Sequence, residues 1–488
     1  MKSVVQCLMV VIQGLPGPRV SGLWLLGFAF SILLSAGCAV GPNYKRPPVN
    51  VPAAFRGEIE SSTNSFANLP WWQVFHDDTL QSLIQIALTN NYDLRIAVTR
   101  VEQARAIAAQ ARSQFYPQAN YQVFAGKGRN VSDNMPSPTG TGGSVFGGDV
   151  NASWEIDVWG RLRRLNESAR AQYLASEEAR RDVTISLIAQ VAQDYFQLLA
   201  LDRQLEIARE DTNSFGESLK IFNEQLQGGV ASKLETSAAE ALMDSAAATI
   251  PELEEQVELQ ENQLSVLLGQ NPAAVLRGEI SLTKQMPPNV PAGLPSALLE
   301  QRPDVREAEQ LLRSANAQVG AAKADFFPQL DLTGLFGTAS PELSAFTSGG
   351  DVAWSIAAGL TGPLFHGGQI RAQYAQALAA RNQYALQYQS AVLNALQEVS
   401  DALVSREKSA AASVEQGRAV DAYKEAVKVA IERYRLGNAS YYEVLQEQQE
   451  LFPAEDSLVQ SQLNQLLAVV QLYLALGGGW NSQDPAPK

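Results

Sequence analysis

The sequence predicts an α+β membrane protein in which long α-helices continue a β-barrel that several copies of the chain build together. Residues 149–159 alternate apolar and polar side chains over eleven positions, which is typical of a strand with one apolar face. That length suits a tilted strand that crosses a bilayer, and Trp154 and Trp159 suit a membrane interface. The chain also repeats itself, and each copy contains a very long helical segment without proline.

Residues 1–37 predict a signal peptide. The apolar run at 22–34 has 13 residues, which is too short for a membrane-spanning helix and typical of the apolar region of a signal peptide. Small residues at 35–37 lead into Cys38 in a pattern that resembles a lipobox, so we expect Cys38 to be lipidated. Ala39 follows, and by resemblance to bacterial lipoproteins it implies sorting to the outer membrane. The alternative is an ordinary signal peptide followed by an incidental cysteine.

The bulk composition excludes several classes of protein. The formal net charge of −14 argues against nucleic-acid binding and against docking on anionic lipid headgroups. Of the two cysteines only Cys38 follows the signal peptide, so neither a disulfide framework nor a thiolate metal cluster is expected. No cofactor is predicted apart from the lipid on Cys38. No later segment reaches ~18 uninterrupted apolar residues, so further membrane insertion is expected from strands.

The mature chain is predicted to begin with a lipid-anchored, proline-rich extended leader at 38–70. Two structural repeats follow, at 71–280 and 281–480, and residues 481–488 form a tail. The repeats are visible in the sequence itself: the segment that begins at Tyr92 returns 211 residues later, and later segments return at an offset of 208. Two copies with so little drift indicate a duplicated unit.

Both repeats predict the same order of elements. A helix of about 24 residues precedes a strand, a glycine-rich loop, a second strand, a very long helix, a tight turn and a return helix. The long helices are expected at 161–227 and 371–436, with apolar seams that include Leu187 and Val191 in the first and Leu386 and Leu393 in the second. The predicted strands are residues 118–126, 144–159, 329–337 and 351–364.

Four strands per chain cannot close a membrane barrel, because an open edge leaves backbone groups unpaired in lipid. The chain is therefore expected to pool strands with copies of itself, eight in a dimer or twelve in a trimer with room for a lumen. The polar side chains of Asp149, Asn151, Glu155 and Asp157 would then face the lumen and favour cations. The rival hypothesis, a structural coiled-coil lipoprotein of the outer membrane, leaves the amphipathic strands unexplained.

Catalysis is not predicted. The two histidines, His76 and His366, lie beside aromatic residues at positions that do not correspond between the repeats. No nucleophile–base pattern, metal-spaced His/Cys set or phosphate-binding glycine loop is present in the sequence.

Several motifs resemble the trimeric outer-membrane channel lipoproteins of drug efflux, the NodT-like branch of the TolC family. The resemblance covers essentially the whole mature chain, and its landmarks are CAVGPNY at 38–44, FYPQ at 115–118, WEIDVWG at 154–160, RYRLG at 433–437 and ALGGGW at 475–480. It implies a homotrimer with one 12-stranded barrel and a periplasmic tunnel of twelve helices. It also implies a passive exit duct that works with a periplasmic adaptor and an inner-membrane, proton-driven pump of the resistance-nodulation-division class.

The resemblance also implies site residues. Adaptor tips would meet the helix turns furthest from the membrane, which are Gly229, Val230, Ala231, Ser232, Gly437, Asn438, Ala439 and Ser440. A constriction would follow the second turn, with Tyr442 and Gln446 where the family often has an apolar ring and an aspartate ring. Glu443 or Glu447 is then expected to supply the charge. Export of metal ions and type I protein secretion remain alternatives within the same architecture.

Overall fold

The computed structural model describes residues 39–56, 69–129, 142–278, 282, 285, 295, 298–340, 342–344 and 352–478. The predicted signal peptide, Cys38 and the predicted tail lie outside these residues.

The described chain alternates helices and strands in the predicted order. In sequence order the elements are α1 (Trp71–Val74), α2 (Asp78–Asn90), α3 (Tyr92–Ser113), β1 (Gln118–Arg129), β2 (Gly142–Ile156), α4 (Arg161–Gln227), α5 (Lys233–Leu267), α6 (Leu298–Gln301), α7 (Pro303–Ala324), β3 (Gln329–Ser340), β4 (Val352–Thr361), α8 (Gln369–Arg435) and α9 (Tyr441–Ala475).

The strands form one antiparallel sheet in the order β1-β2-β3-β4. Strands of the two repeats pair directly, since Trp154 of β2 lies opposite Leu332 of β3. The other two pairings join β1 to β2 and β3 to β4 within their own repeats, with Phe336 opposite Trp354 in the second. Every residue of β4 is exposed in the single chain, as expected for an edge strand without its partner.

The strand predicted at 144–159 ends earlier than predicted, at Ile156. The physical reason is Asp157, whose carboxylate accepts hydrogen bonds from the backbone N–H groups of Leu162 (3.1 Å) and Arg163 (2.9 Å). These are unsatisfied donors at the start of α4, so Asp157 belongs to the helix terminus and not to the sheet. The remaining strands include most of their predicted residues, and β4 ends at Thr361.

Each long helix has 67 residues, about 100 Å at 1.5 Å per residue. The predicted seam of α4 is buried, with Leu187 and Val191 inside. The seam predicted for α8 is buried only in part, because Leu386 and Leu393 are exposed whereas Leu403 is buried. The buried face of α8 is a neighbouring stripe of the helix, which consists of Tyr388, Val392, Ala395, Val399 and Ala402.

The chain divides into two compact units, and each unit draws on both repeats. The first, the sheet unit, comprises residues 1–44, 107–170 and 313–381. The second, the helical unit, comprises residues 45–106, 171–312 and 382–488. A predicted repeat is thus not a compact unit by itself. Within the described residues, no helix has an apolar stretch long enough to cross a membrane.

Candidate functional site

The two helix turns predicted to meet a partner have the same backbone geometry. In the first, Gly229 N–H donates to the Leu226 carbonyl (3.0 Å) and Val230 N–H to the Gln225 carbonyl (2.9 Å). In the second, the residues 208 positions later form the same two bonds, both at 2.9 Å. Gly229 and Gly437 have φ angles of 74° and 73°, the left-handed conformation that ends many helices.

Both turns present their predicted contact residues to solvent. Gly229, Val230, Ser232, Gly437, Asn438 and Ser440 are exposed, whereas Ala231 and Ala439 are half-buried. The first turn of α5 holds the backbone of the preceding loop in place: the Glu235 carboxylate accepts a hydrogen bond from Ser232 N–H (2.6 Å). The predicted tip residues therefore form two exposed hairpin ends with a defined backbone.

Below the turns, α4, α5, α8 and α9 enclose an apolar cluster, here called the tip cluster. Tyr441 lies within it, with its ring perpendicular to that of Phe222 at 5.0 Å and near-perpendicular to that of Tyr434 at 4.8 Å. Such edge-to-face pairs are a favourable arrangement of aromatic rings. The cluster consists of Phe215, Phe222, Ala239, Ala246, Ala430, Tyr441, Val444 and Leu445.

Hydroxyl and amide groups connect the two repeats beside the tip cluster. Tyr441 shares a hydrogen bond of 2.9 Å with Ser218 of α4, and Gln448 donates to Ser214 (2.8 Å). Gln225 of α4 also donates to the Tyr434 hydroxyl on α8. Burial raises the pKa of the Tyr441 phenol, so this hydroxyl stays protonated and able to donate at neutral pH.

The predicted constriction residues lie on one exposed face at the start of α9. Tyr442 is 58% exposed, and Gln446 lies one helical turn further along, also exposed. Glu443 instead forms an ion pair of 3.0 Å with Arg433 across the turn, so its charge is balanced locally. The structure therefore brings Tyr442 and Gln446 together and places Glu443 in a separate contact.

Sequence reasoning missed the residues beneath this face. Tyr434, Tyr441, Ser218 and Gln225 form the contacts between α4 and the second hairpin, yet none was predicted as a site residue. The available indication was the pair of tyrosines that flanks the second turn. The polar partners on α4 lie more than 200 positions away and have no local pattern.

A second notable group lies further along the same helices. Asp211 has one carboxylate oxygen without a partner among the described residues, and Glu455 on α9 is paired with Lys424 (2.7 Å). Burial, reinforced by the negative charges of Glu455 and Glu210, raises the pKa of Asp211 to about 7. This carboxyl group therefore changes charge near neutral pH.

A third group combines acidic residues of α4 and α7. Burial raises the pKa of Glu307 to about 6, and the nearby carboxylates of Asp182, Asp304 and Glu178 add to the effect. Glu178 is buried and lies 2.7 Å from Arg181 and 2.9 Å from Arg306. Like Asp211, Glu307 titrates above the usual carboxyl range.

The side chains predicted for the acidic lumen face differ in their local contacts. Glu155 forms a bidentate contact with Arg161, and Asp157 pairs with Arg163 at 3.1 Å. Asp157 is also outside the strand. Two of the four residues expected to attract cations therefore form ion pairs with arginines in the first turn of α4, which begins five residues after the end of β2.

The start of the leader lies directly against the sheet unit. Val40 N–H donates to the Trp159 carbonyl (2.9 Å), and Pro42 accepts from Asn316 (2.9 Å). Gly41 is so close to Gly320 that a Cβ atom on Gly41 would lie 2.5 Å from its Cα. The described chain is thus fixed in place from the residues immediately after Cys38.

Neither histidine takes part in a reactive arrangement within the described chain. His76 and His366 are both exposed. Among the described residues, no group of three or more His, Cys, Asp or Glu side chains could hold a metal ion.

The comparisons with known proteins agree with the sequence motifs and the fold. Residues 83–270 and 294–478 each match the family described as outer membrane efflux protein, so the family pattern occurs twice in the chain. The toluene efflux pump outer membrane protein TtgC of Pseudomonas putida is 35% identical over 467 residues, which cover 94% of this chain and 96% of TtgC.

Two further proteins extend this similarity. The cation efflux system protein CusC of Escherichia coli is 33% identical over 464 residues, covering 93% of this chain and 98% of CusC. The open-state outer membrane channel MtrE of Neisseria gonorrhoeae has a TM-score of 0.82 and 32% identity, and the match covers 91% of this chain and 98% of MtrE. The predicted resemblance and fold class are confirmed. The chain therefore belongs to the outer membrane efflux protein family and is an outer-membrane exit duct of an efflux system.

Proposed function

We propose that this protein is the lipid-anchored, trimeric exit duct for small organic molecules in a tripartite efflux system. The observation that carries the proposal is identity of 33–35% along nearly the whole chain to outer-membrane components of efflux pumps. The partners are a periplasmic adaptor and an inner-membrane pump of the resistance-nodulation-division class. The duct extends from the outer membrane into the periplasm, and this chain makes and breaks no covalent bond.

The sheet supports assembly from several copies. Its order leaves β1 and β4 as edges, and backbone groups at an edge must be paired in a bilayer. Three chains supply twelve strands and close a barrel with a lumen, whereas two supply eight and fill it with side chains. A homotrimer therefore pairs the backbone groups of the edge strands and also leaves a lumen through which substrates can pass.

The exposed face with Tyr442 and Gln446 supports a constriction at the helix tips. Three copies would place three phenol rings around the axis, and Gln446 would add neutral polar groups in place of carboxylates. Adaptor contacts at Gly229–Ser232 and Gly437–Ser440 would open the passage by favouring a rearranged tip. The pump supplies the energy.

The substrate proposal favours organic molecules over metal ions. TtgC is a toluene efflux protein, whereas CusC is a cation efflux protein. The sequence has 5 methionines and 2 histidines, few ligands for soft metal ions along a path of this length. Complementing a strain that lacks its own exit duct, then challenging it with toluene and with copper or silver salts, separates the two substrates. Protection from the metal alone would overturn the organic-substrate proposal.

Native mass spectrometry of the membrane-purified protein tests assembly and lipidation together. We expect three chains, each with an acylated Cys38. A monomer would overturn the pooled barrel, and a Cys38 without lipid would overturn the anchor.

Single-channel conductance tests the constriction. Tyr442→Ala should increase the conductance or the open fraction, because the bulky exposed ring is removed from the narrowest point. Tyr92→Ala is the matched control, since Tyr92 is also exposed (64%) but lies at the start of α3. Equal conductance of Tyr442→Ala and wild type would show that Tyr442 does not form the constriction.

A further inference from the structure

The sheet unit has the opposite charge balance from the whole chain. Its described residues include eleven Lys and Arg against seven Asp and Glu, although the chain as a whole carries −14. A positive local field can attract anions even when the net charge of the protein is negative. The described segments of this unit are 39–44, 107–129, 142–170, 313–340, 342–344 and 352–381.

Six of these cations lie near one end of the strands, where the helices join the sheet, and this end is here called the basic edge. Lys127 and Arg129 lie at the other end of β1. The register places Gln118, the first residue of β1, opposite Ser153 near the end of β2, and Gln329 opposite Thr361 at the end of β4. The helices that precede β1 and β3 and follow β2 and β4 therefore all meet the sheet at this edge.

Each of these four junctions carries a cation, and the duplication relates them in pairs. Arg112 and Lys323 lie in the last turns of α3 and α7, 211 positions apart. Arg163 and Arg371 lie in the first turns of α4 and α8, 208 positions apart. Both offsets are those of the repeat itself.

Acidic residues at the basic edge neutralise only one of these four cations, Arg163, which pairs with Asp157. Glu155, Asp157 and Glu167 pair with the arginines at 161, 163 and 164 respectively. Arg112, Lys323 and Arg371 are exposed, and no carboxylate among the described residues pairs with them. They are therefore available to an external anion.

Exposed apolar side chains accompany the cations. Tyr116 and Phe326 precede β1 and β3, and Phe365, 89% exposed, follows β4. The Trp154 indole N–H donates to the Phe115 carbonyl at the same edge (3.0 Å). Aromatic rings beside basic residues are typical of the boundary between hydrocarbon and headgroups, a layer of about 5–7 Å on each side of the bilayer core.

We propose that the basic edge is a docking surface for the anionic phospholipid headgroups of the periplasmic leaflet, with Arg112, Lys323 and Arg371 as the phosphate-binding cations. The proposal rests on the sheet standing in the outer membrane. The guanidinium groups donate paired hydrogen bonds to phosphate oxygens, and Lys323 contributes a point charge. Each cation near an anionic surface strengthens binding roughly fivefold, and added salt weakens it.

The test measures lipid retention by the full-length oligomer in nanodiscs that contain phosphatidylethanolamine and phosphatidylglycerol. Native mass spectrometry after gentle removal of bulk lipid should find phosphatidylglycerol enriched on the wild type. The combined variant Arg112→Gln, Lys323→Gln, Arg371→Gln should lose the enrichment. Lys408→Gln, Arg418→Gln, Lys428→Gln is the matched control, because it removes the same charge from exposed positions of α8 and should keep the enrichment.

Further arms make each outcome decisive. Arg112→Lys with Arg371→Lys retains the charge and should retain the enrichment. Displacement of the lipid by inorganic phosphate would show a general anion site and overturn the proposal. Absence of enrichment on the wild type, or cross-linking that shows these residues covered by a neighbouring copy, would also overturn it. If the triple glutamine variant fails to assemble, the lipid enrichment measured on the wild type and on the lysine variant tests the proposal. Failure to enter the membrane at all would instead contradict the duct function.

Discussion

Asn91 and Arg302 form the same contact in the two repeats although one is neutral and the other charged. The Asn91 amide donates to the carbonyl of Leu267 (3.0 Å), and the Arg302 guanidinium donates to the carbonyl of Ala475 (2.8 Å). Each acceptor is the last residue of a return helix, where carbonyl groups lack helical partners. Arg302 additionally binds Asp304 and Glu398, at 2.7 Å each, so the second repeat makes the stronger connection.

Removing this connection should affect the two repeats unequally. We expect Arg302→Ala to lower the free energy of unfolding by about 3 kcal/mol, because its loss removes a buried, charged donor from the Ala475 carbonyl and from two partly solvated carboxylates. Asn91→Ala should cost about 1–2 kcal/mol, because the Asn91 side chain also accepts a hydrogen bond from the Leu94 N–H (3.0 Å). Thermal unfolding followed by circular dichroism measures both, and equal losses would contradict the explanation.

Glycines with the same backbone conformation should respond differently to alanine. Gly229 and Gly269 both have positive φ, but only Gly269 is crowded, since an added Cβ would lie 2.6 Å from the Asn90 carbonyl oxygen. Gly229→Ala should cost about 1–2 kcal/mol from the backbone alone. Gly269→Ala should cost more and disturb the chain between α2 and α3. Comparison of their melting temperatures tests this, and a larger loss for Gly229→Ala would refute it.

Loss of the Tyr441 hydroxyl should make the helix tips easier to rearrange, while the aromatic ring remains packed in the tip cluster. Tyr441→Phe keeps the ring between Phe222 and Tyr434 but removes the bond to Ser218, a change of about 1 kcal/mol. We expect more frequent channel opening in planar bilayers. Ser218→Ala should have the same effect, and the double variant should add little to either. Fully additive effects would show that the two residues act independently.

The Asp211 carboxyl should make the helical unit less stable as pH rises. Its pKa is raised to about 7 from an ordinary 3.8, so the folded protein holds a proton that the unfolded chain releases. The stabilisation is complete below about pH 4 and is lost as pH rises through 7. Asp211→Asn should remove this dependence and raise stability at pH 8 by an order of 1–2 kcal/mol, allowing for partial solvent access. Melting temperatures from pH 5 to 8 measure it, and parallel curves would contradict the assignment.

The fold was largely predictable because its information is local and is present twice. Period-2 alternation indicated β2 and β4, the layout shared by the two repeats indicated β1 and β3, and the absence of proline indicated the long helices. The repeated glycine turns at 229 and 437 fixed the hairpins. Strand ends were less predictable, since Asp157 continues the alternation of β2 and yet binds the first N–H groups of α4. Sequence periodicity does not show whether an aspartate belongs to a strand or caps the helix that follows it.

The candidate site was less predictable because its contacts are distant in sequence. Tyr442 and Gln446 followed from the family resemblance, but the partnership of Tyr441 with Ser218 spans 223 positions and leaves no pattern. The helix α8 illustrates the same limit. Leucines at 386 and 393 have the spacing of a seam, yet the buried stripe begins at Tyr388 and reaches the predicted seam only at Leu403.

The contacts of Val40, Gly41 and Pro42 have a consequence for the proposed lipid anchor. A flexible tether would let an acylated chain drift in the membrane plane and in depth while the barrel assembled. Here Val40, Gly41 and Pro42 are held by the Trp159 carbonyl, Gly320 and Asn316, so the contacts with the sheet unit begin two residues after Cys38. An acyl group on Cys38 would therefore set the height of the strands in the bilayer as well as the compartment of the protein.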